Sequence, residues 1–243
     1  MKRVKRSVWG FALVTVVAAA FFLRGASAFT APTVFYSGDD EIPKIAITMD
    51  DCWKLGVVTE MLDLCKEYGF HMTFFPCGTV IHEEDRDLWL RMIADGHEIG
   101  NHTENHKRLT NLSYRRVGEE LHFMEDRLNK ALGYTYPMRF MRPPYGSGAW
   151  GETGMVIGDH GYHYIILWSL SETDPDKMLS KVRNGDILLY HSNPKDVNGL
   201  RKAIPVLLER GFQLVTVSEL LGIAPKFLEG EPAPFDPPAT DIV

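Results

Sequence analysis

The chain has 243 residues, 45% hydrophobic and 24% charged, with a net charge of −6. The acidic balance argues against a nucleic-acid partner or an anionic lipid surface. Three cysteines are too few for a disulfide scaffold.

Lys2, Arg3, Lys5 and Arg6 open the chain, Val8 to Leu23 is an apolar run, and Ala26-Ser27-Ala28 has the small-x-small form of a cleavage site. This is the anatomy of a secretory signal over residues 1–28. The run is short for a membrane span, although an uncleaved anchor stays open. No cysteine follows it, which argues against a lipid-modified N-terminus. The expectation is export, as a protein either secreted or anchored on the outer side of the cytoplasmic membrane. Residues 29–243 suffice for one domain with a full core. Without the signal's five basic residues, 21 Lys and Arg face 32 Asp and Glu, a net charge of −11. Such a surface suits a neutral or cationic substrate.

Residues 29–43 read as a polar, turn-rich lead-in. Lys44 to Cys52 then alternates Ile45, Ile47 and Met49 with Ala46 and Thr48, which predicts a strand ending in Asp50-Asp51. Leu55 to Tyr68 carries Val58, Met61, Leu62 and Cys65 at helical spacing and stops at Gly69. Strands are expected at 71–75, 97–100, 138–141, 163–168, 186–191 and 212–217. Helices are expected at 84–94, 113–132 (with Ser113 as N-cap), 150–160, 175–182, 197–210 and 218–221. Strand and helix alternate seven times, which predicts an α/β fold with parallel strands, as one sheet or barrel. Gly222 to Val243 holds five prolines and no apolar periodicity, and reads as an extended tail.

Open α/β sheets and barrels place their chemistry at strand C-termini. Asp50 and Asp51 are adjacent on a strand, so one carboxylate can bind a metal while its neighbour stays free as a base. His102 and His106 lie four apart in His102-Thr103-Glu104-Asn105-His106, a spacing that a helical turn would bring to one side. With Asp51 they form a two-His, one-carboxylate set. That set takes zinc first, and also suits cobalt, nickel, manganese or iron. Arg142-Pro143-Pro144-Tyr145-Gly146 forms a rigid turn whose N–H groups can be aimed, and Arg142 can brace a carboxylate. His191 ends a strand as a proton donor. Cys52 and Cys77 both follow strand-like runs. A bond between them is open, and two buried free thiols are the simpler reading.

These stretches together resemble the polysaccharide deacetylase family, carbohydrate esterase family four, whose unit is the NodB homology domain. Thr48 to Cys52 is similar to its first motif, His102 to His106 to the second and Arg142 to Gly146 to the third. Ile166-Leu167-Trp168 resembles the fourth and Leu188 to His191 the fifth. The resemblance covers about residues 44–222. It implies a distorted (β/α)7 barrel and metal-dependent deacetylation of an acetylated glycan partner. Peptidoglycan is the first expectation, with chitin oligomers or another acetylated glycan as alternatives. A non-catalytic sugar-binding protein or a small-molecule metal amidohydrolase ranks below these. By motif position Asp51, His102 and His106 would hold the metal, Asp50 would be the base and His191 the acid. Arg142 would orient Asp50, the Tyr145 N–H would hold the oxyanion, Leu189 would receive the acetyl methyl and Trp168 would line the groove. The chain departs from the family twice. Cys52 replaces a usual Gly, which would put a side chain beside the metal. Ser171 replaces the Asp that usually braces the Arg, with Asp174 as a candidate substitute.

Overall fold

The computed structural model describes residues 31–223. The signal-like segment at 1–28 and almost all of the proline-rich tail lie outside those residues. Among the described residues, no helix is long and apolar enough to cross a membrane.

Among the described residues eight strands run in chain order: β1 (Thr33–Phe35), β2 (Lys44–Asp51), β3 (Thr73–Pro76), β4 (Glu98–Ile99), β5 (Phe140–Met141), β6 (Tyr164–Ile166), β7 (Ile187–His191) and β8 (Gln213–Val215). Between and after them come α1 (Leu55–Tyr68), α2 (Arg86–Ala94), α3 (Tyr114–Leu132), α4 (Gly151–Asp159), α5 (Pro175–Lys181), α6 (Pro194–Glu209) and α7 (Val217–Leu221). Every strand pair is parallel. One sheet has the order β4-β3-β2-β7, with β8 also on β2, and the other β1-β6-β5. Isolated parallel bridges, Asn101 with Met141 and Leu170 with Leu188, join the two sheets. The strand neighbours therefore follow the path of a distorted α/β barrel.

Period-two alternation divides β2 between two cores. Ile45, Ile47 and Met49 are fully buried against α1 and α6, in one cluster with Val58, Leu62, Val197 and Leu200. Burying each such side chain stabilises the fold by about 1.5–3 kcal/mol. Ala46 faces the other way, into a cluster with Phe75, Phe140, Ile166 and Ile187. Thr48 and Asp50 share the parity of Ala46, so they continue this interior layer toward the C-terminal rim. β2 is covered on both faces, as expected of a parallel strand.

Two expectations change. The lead-in contains a strand, β1, in parallel register with β6 from Thr33↔Tyr164 to Phe35↔Ile166. Three residues are too few to show periodicity. Helix α6 begins one turn earlier than its apolar pattern, because Asn193 caps it through Asp196 N and Pro194 takes the first turn. Ser113 does occupy the N-cap position of α3, but its side chain makes no capping bond.

Gly100 connects packing to the site. A Cβ there would lie 2.3 Å from the Phe75 ring, and that ring lies 4.2 Å beneath the Arg142 guanidinium. Gly100→Ala is expected to cost about 1–3 kcal/mol through overpacking, read as a lower midpoint in urea unfolding.

Candidate active site and metal centre

Asp50 sits at the interior rim and is 3% exposed. Its Oδ1 accepts from Arg142 Nη1 at 2.6 Å. Arg142 shares the parity of Phe140 on β5, so its fully buried side chain enters the same interior. It also donates from Nη1 to Thr48 Oγ1, from Nε to the Ile166 carbonyl and from Nη2 to the Leu167 carbonyl. Burial lowers the Arg142 pKa, and the Asp50 charge opposes that.

Asp51 has the opposite parity and would point to the helices if the strand continued. Its φ of 65° ends the strand instead, and its carboxylate faces the histidines. Asp51 Oδ1 lies 3.4 Å from His102 Nε2 and 3.3 Å from His106 Nε2. The expected helical turn is absent. Thr103 and His106 have φ of 68° and 55°, and a left-handed loop brings the imidazoles together. Thr103 N is held by Asn101 Oδ1, and His106 N by Thr103 Oγ1.

The residues fit a metal ion. Ligand atoms of Asp51, His102 and His106 all lie within 4.8 Å of one another. Two ligands at about 2.1 Å from one tetrahedral cation stand about 3.4 Å apart. Asp51 Oδ1 is buried and has no hydrogen-bond partner, a costly arrangement that a cation relieves. His102 Nδ1 lies 2.7 Å from the Arg142 carbonyl, which can only accept, so Nε2 is left with its lone pair toward Asp51. Burial pushes the Asp51 carboxyl up, but His102, His106 and His191 outweigh it and hold it below its ordinary value. Burial pushes the His102 imidazole down, yet Asp50 and Asp51 bring it above its ordinary value. A cation and a proton compete for the same Nε2 lone pair.

The other expected residues lie around this centre. His191, exposed at the end of β7, is in register with Asp50 across the strand pair. Its backbone N–H donates to Asp196 Oδ2. Tyr145 has φ of 62°, and its ring packs 4.6 Å from that of His106. Trp168 is half-buried and lies 5.8 Å from the Arg142 guanidinium. Leu189 is buried in β7.

A polysaccharide deacetylase family model matches residues 37–152. A peptidoglycan-N-acetylglucosamine deacetylase of Bacillus cereus is 30% identical over 198 residues, 73% of this chain and 87% of that protein. The chain belongs to the polysaccharide deacetylase family. The peptidoglycan-N-acetylmuramic acid deacetylase PdaC of Bacillus subtilis is 29% identical over 72% of this chain, which spans 38% of that longer protein. A solved family pseudoenzyme from Bacillus anthracis superposes with a TM-score of 0.70 at 22% identity, covering 79% of this chain and 69% of its own. That last likeness concerns the fold.

Both departures from the deacetylase family pattern have a structural account. Cys52 has φ of 59°, a left-handed conformation that explains a usual Gly. Its side chain is fully buried in the helix-side core rather than lining the opening of the metal site. Cys52, Cys65 and Cys77 are all buried and free, and burial pushes each thiol up. Ser171 is exposed, and so is Asp174, whose carboxylate caps α5 through Lys177 N. Neither replaces the missing brace. The Ile166 and Leu167 carbonyls and the Thr48 hydroxyl take the remaining Arg142 bonds instead.

Thr48, Phe75 and Asn101 were missed as site residues. Thr48 alone left a usable signal, lying two residues before Asp50 on the same strand face. Asp174→Ala should remove a helix cap worth about 1 kcal/mol without moving the pH profile of kcat/KM. A displaced acid limb would make Asp174 part of the Arg142 network.

Proposed function

We propose that the protein is a metal-dependent hydrolase that removes acetyl groups from an N-acetylated glycan, peptidoglycan first. The observation that carries this reading is the convergence of Asp51, His102 and His106 beside an ion-paired Asp50, in a member of this family. Zinc is the first choice for two imidazoles and a carboxylate, with cobalt, nickel and manganese compatible. The peptidoglycan reading is supported by the names of the relatives. The signal-like N-terminus supports action outside the cytoplasmic membrane, by a secreted or anchored protein.

Asp51, His102 and His106 would hold a divalent ion, which would supply Lewis acidity toward the acyl group and make water more acidic. The chain's own groups do the rest. Arg142 occupies Asp50 Oδ1, and Oδ2 lies 3.7 Å from His102 Nε2, on the metal-site side. Oδ2 is thereby placed to accept the proton of the attacking water. The Tyr145 N–H donates to the oxyanion as charge develops on it. His191 delivers a proton to the departing amine nitrogen. Leu189 receives the acetyl methyl, and Trp168 lines the groove.

The deciding experiment is acetate release by the zinc-loaded protein from peptidoglycan strands, chitin oligomers and other acetylated glycans. No release from any of them at full occupancy would leave a binding protein on a deacetylase fold. Asp51→Ala and His106→Ala should weaken metal binding by orders of magnitude, measured as metal content after dialysis. Near-full occupancy in His106→Ala would remove it from the ligand set. Asp50→Asn should keep the metal and the fold while losing roughly 10²–10⁴-fold in turnover. Unchanged turnover would place the base elsewhere.

A further inference from the structure

Arg108 follows the metal loop by two residues and is exposed. Its guanidinium stacks over the Tyr145 ring, 4.6 Å from the centroid. That ring packs in turn against His106. Neighbouring cations are already paired. Lys107 binds Glu120 at 2.8 Å, and Arg115 and Arg116 bind Glu119 at 2.9 Å and 2.6 Å. Arg108 has no ion pair among the described residues.

The cleft beside it has a volume of about 610 Å³ and is lined by His106, Lys107, Arg108, Asn111, Leu112 and Tyr145. No carboxylate is among its lining residues, on a chain with a net charge of −6. Stacking fixes the guanidinium plane and leaves its N–H edges available to a ligand. A planar fork of this kind matches a carboxylate in geometry and in charge.

We infer that Arg108 binds a carboxylate of the glycan next to the acetamido group under attack, and so selects acid-bearing N-acetyl sugars over neutral ones. The inference rests on the deacetylase reading above. The two sugars of peptidoglycan differ by a lactyl ether that ends in a carboxyl group, free or joined to a peptide. The carboxylate recognised is therefore that of the lactyl group or that of the attached peptide.

Three substrates separate these sources at equal zinc occupancy. They are the N-acetylglucosamine tetramer, peptide-free glycan strands with a free lactyl carboxylate, and peptide-bearing strands. Arg108→Ala should lower kcat/KM about 10- to 100-fold on a carboxylate substrate, the scale of a lost charged hydrogen bond. The loss should fall mainly in KM, with zinc content unchanged and the tetramer affected by no more than about threefold. Arg108→Lys should recover part of the loss, and added salt should narrow the wild-type preference. The acidic substrate that loses most identifies the source. Equal losses on all three would make Arg108 a prop for Tyr145 and overturn the inference, as would no loss on either acidic substrate. If the wild type releases no acetate, zinc-loaded wild type and Arg108→Ala are titrated with the same three glycans. Arg108-dependent binding of the acidic strands would uphold the inference while the catalytic reading fails, and its absence would overturn both.

Discussion

The site depends on one buried ion pair, Arg142 with Asp50. The guanidinium is fully buried and Asp50 is 3% exposed, a placement whose desolvation cost is several kcal/mol per ion before compensation. Compensation is close at hand. The carboxylate lies 2.6 Å away, two backbone carbonyls and the Thr48 hydroxyl accept further bonds, and the Phe75 ring lies 4.2 Å from the guanidinium carbon. The Arg142 carbonyl also holds His102 Nδ1. One residue therefore fixes the Asp50 carboxylate through its side chain and a proposed metal ligand through its backbone.

Around this pair the backbone is strained where function is proposed. Among the described residues, the non-glycine positions with positive φ are Asp51, Cys52, Thr103, His106 and Tyr145, and all lie in the segments that form the site. Each costs of order 1–3 kcal/mol and persists because its surroundings over-determine it. Asn101 is part of that determination. It is fully buried, holds Thr103 N, and donates to the Leu121 carbonyl and to the Tyr162 hydroxyl. The Tyr162 hydroxyl in turn reaches Glu125 on α3. The loop that carries His102 and His106 is thus tied to a helix on the outside of the barrel.

The two carboxylates illustrate how a strand end is used. Parity alone sends Asp50 inward, where Arg142 meets it. Asp51 leaves the strand by a left-handed turn, and that turn lets neighbouring residues serve one pocket with different partners. The same turn sends Cys52 into the helix-side core. A position that usually holds Gly for its backbone thereby holds a thiol remote from the opening.

The sequence by itself determined the parallel α/β organisation, because seven alternations of period-two and helical patterns admit little else. It also singled out Asp50, Asp51, His102, His106, Arg142 and His191 as candidates, each at a strand end or in the segment that follows one. It could not place the histidine pair on its loop. Their spacing of four suits a helical turn, and the left-handed residues that replace that turn are set by Asn101 and Thr103 hydrogen bonds absent from any periodicity. Nor could it settle the partners of Arg142 beyond Asp50. Asp174 stands three residues after Ser171 but caps a helix, and the remaining bonds go to carbonyls and a threonine whose proximity arises only when β2, β5 and β6 converge on one interior. Local pattern records which face a residue occupies, and only tertiary packing decides what it meets there.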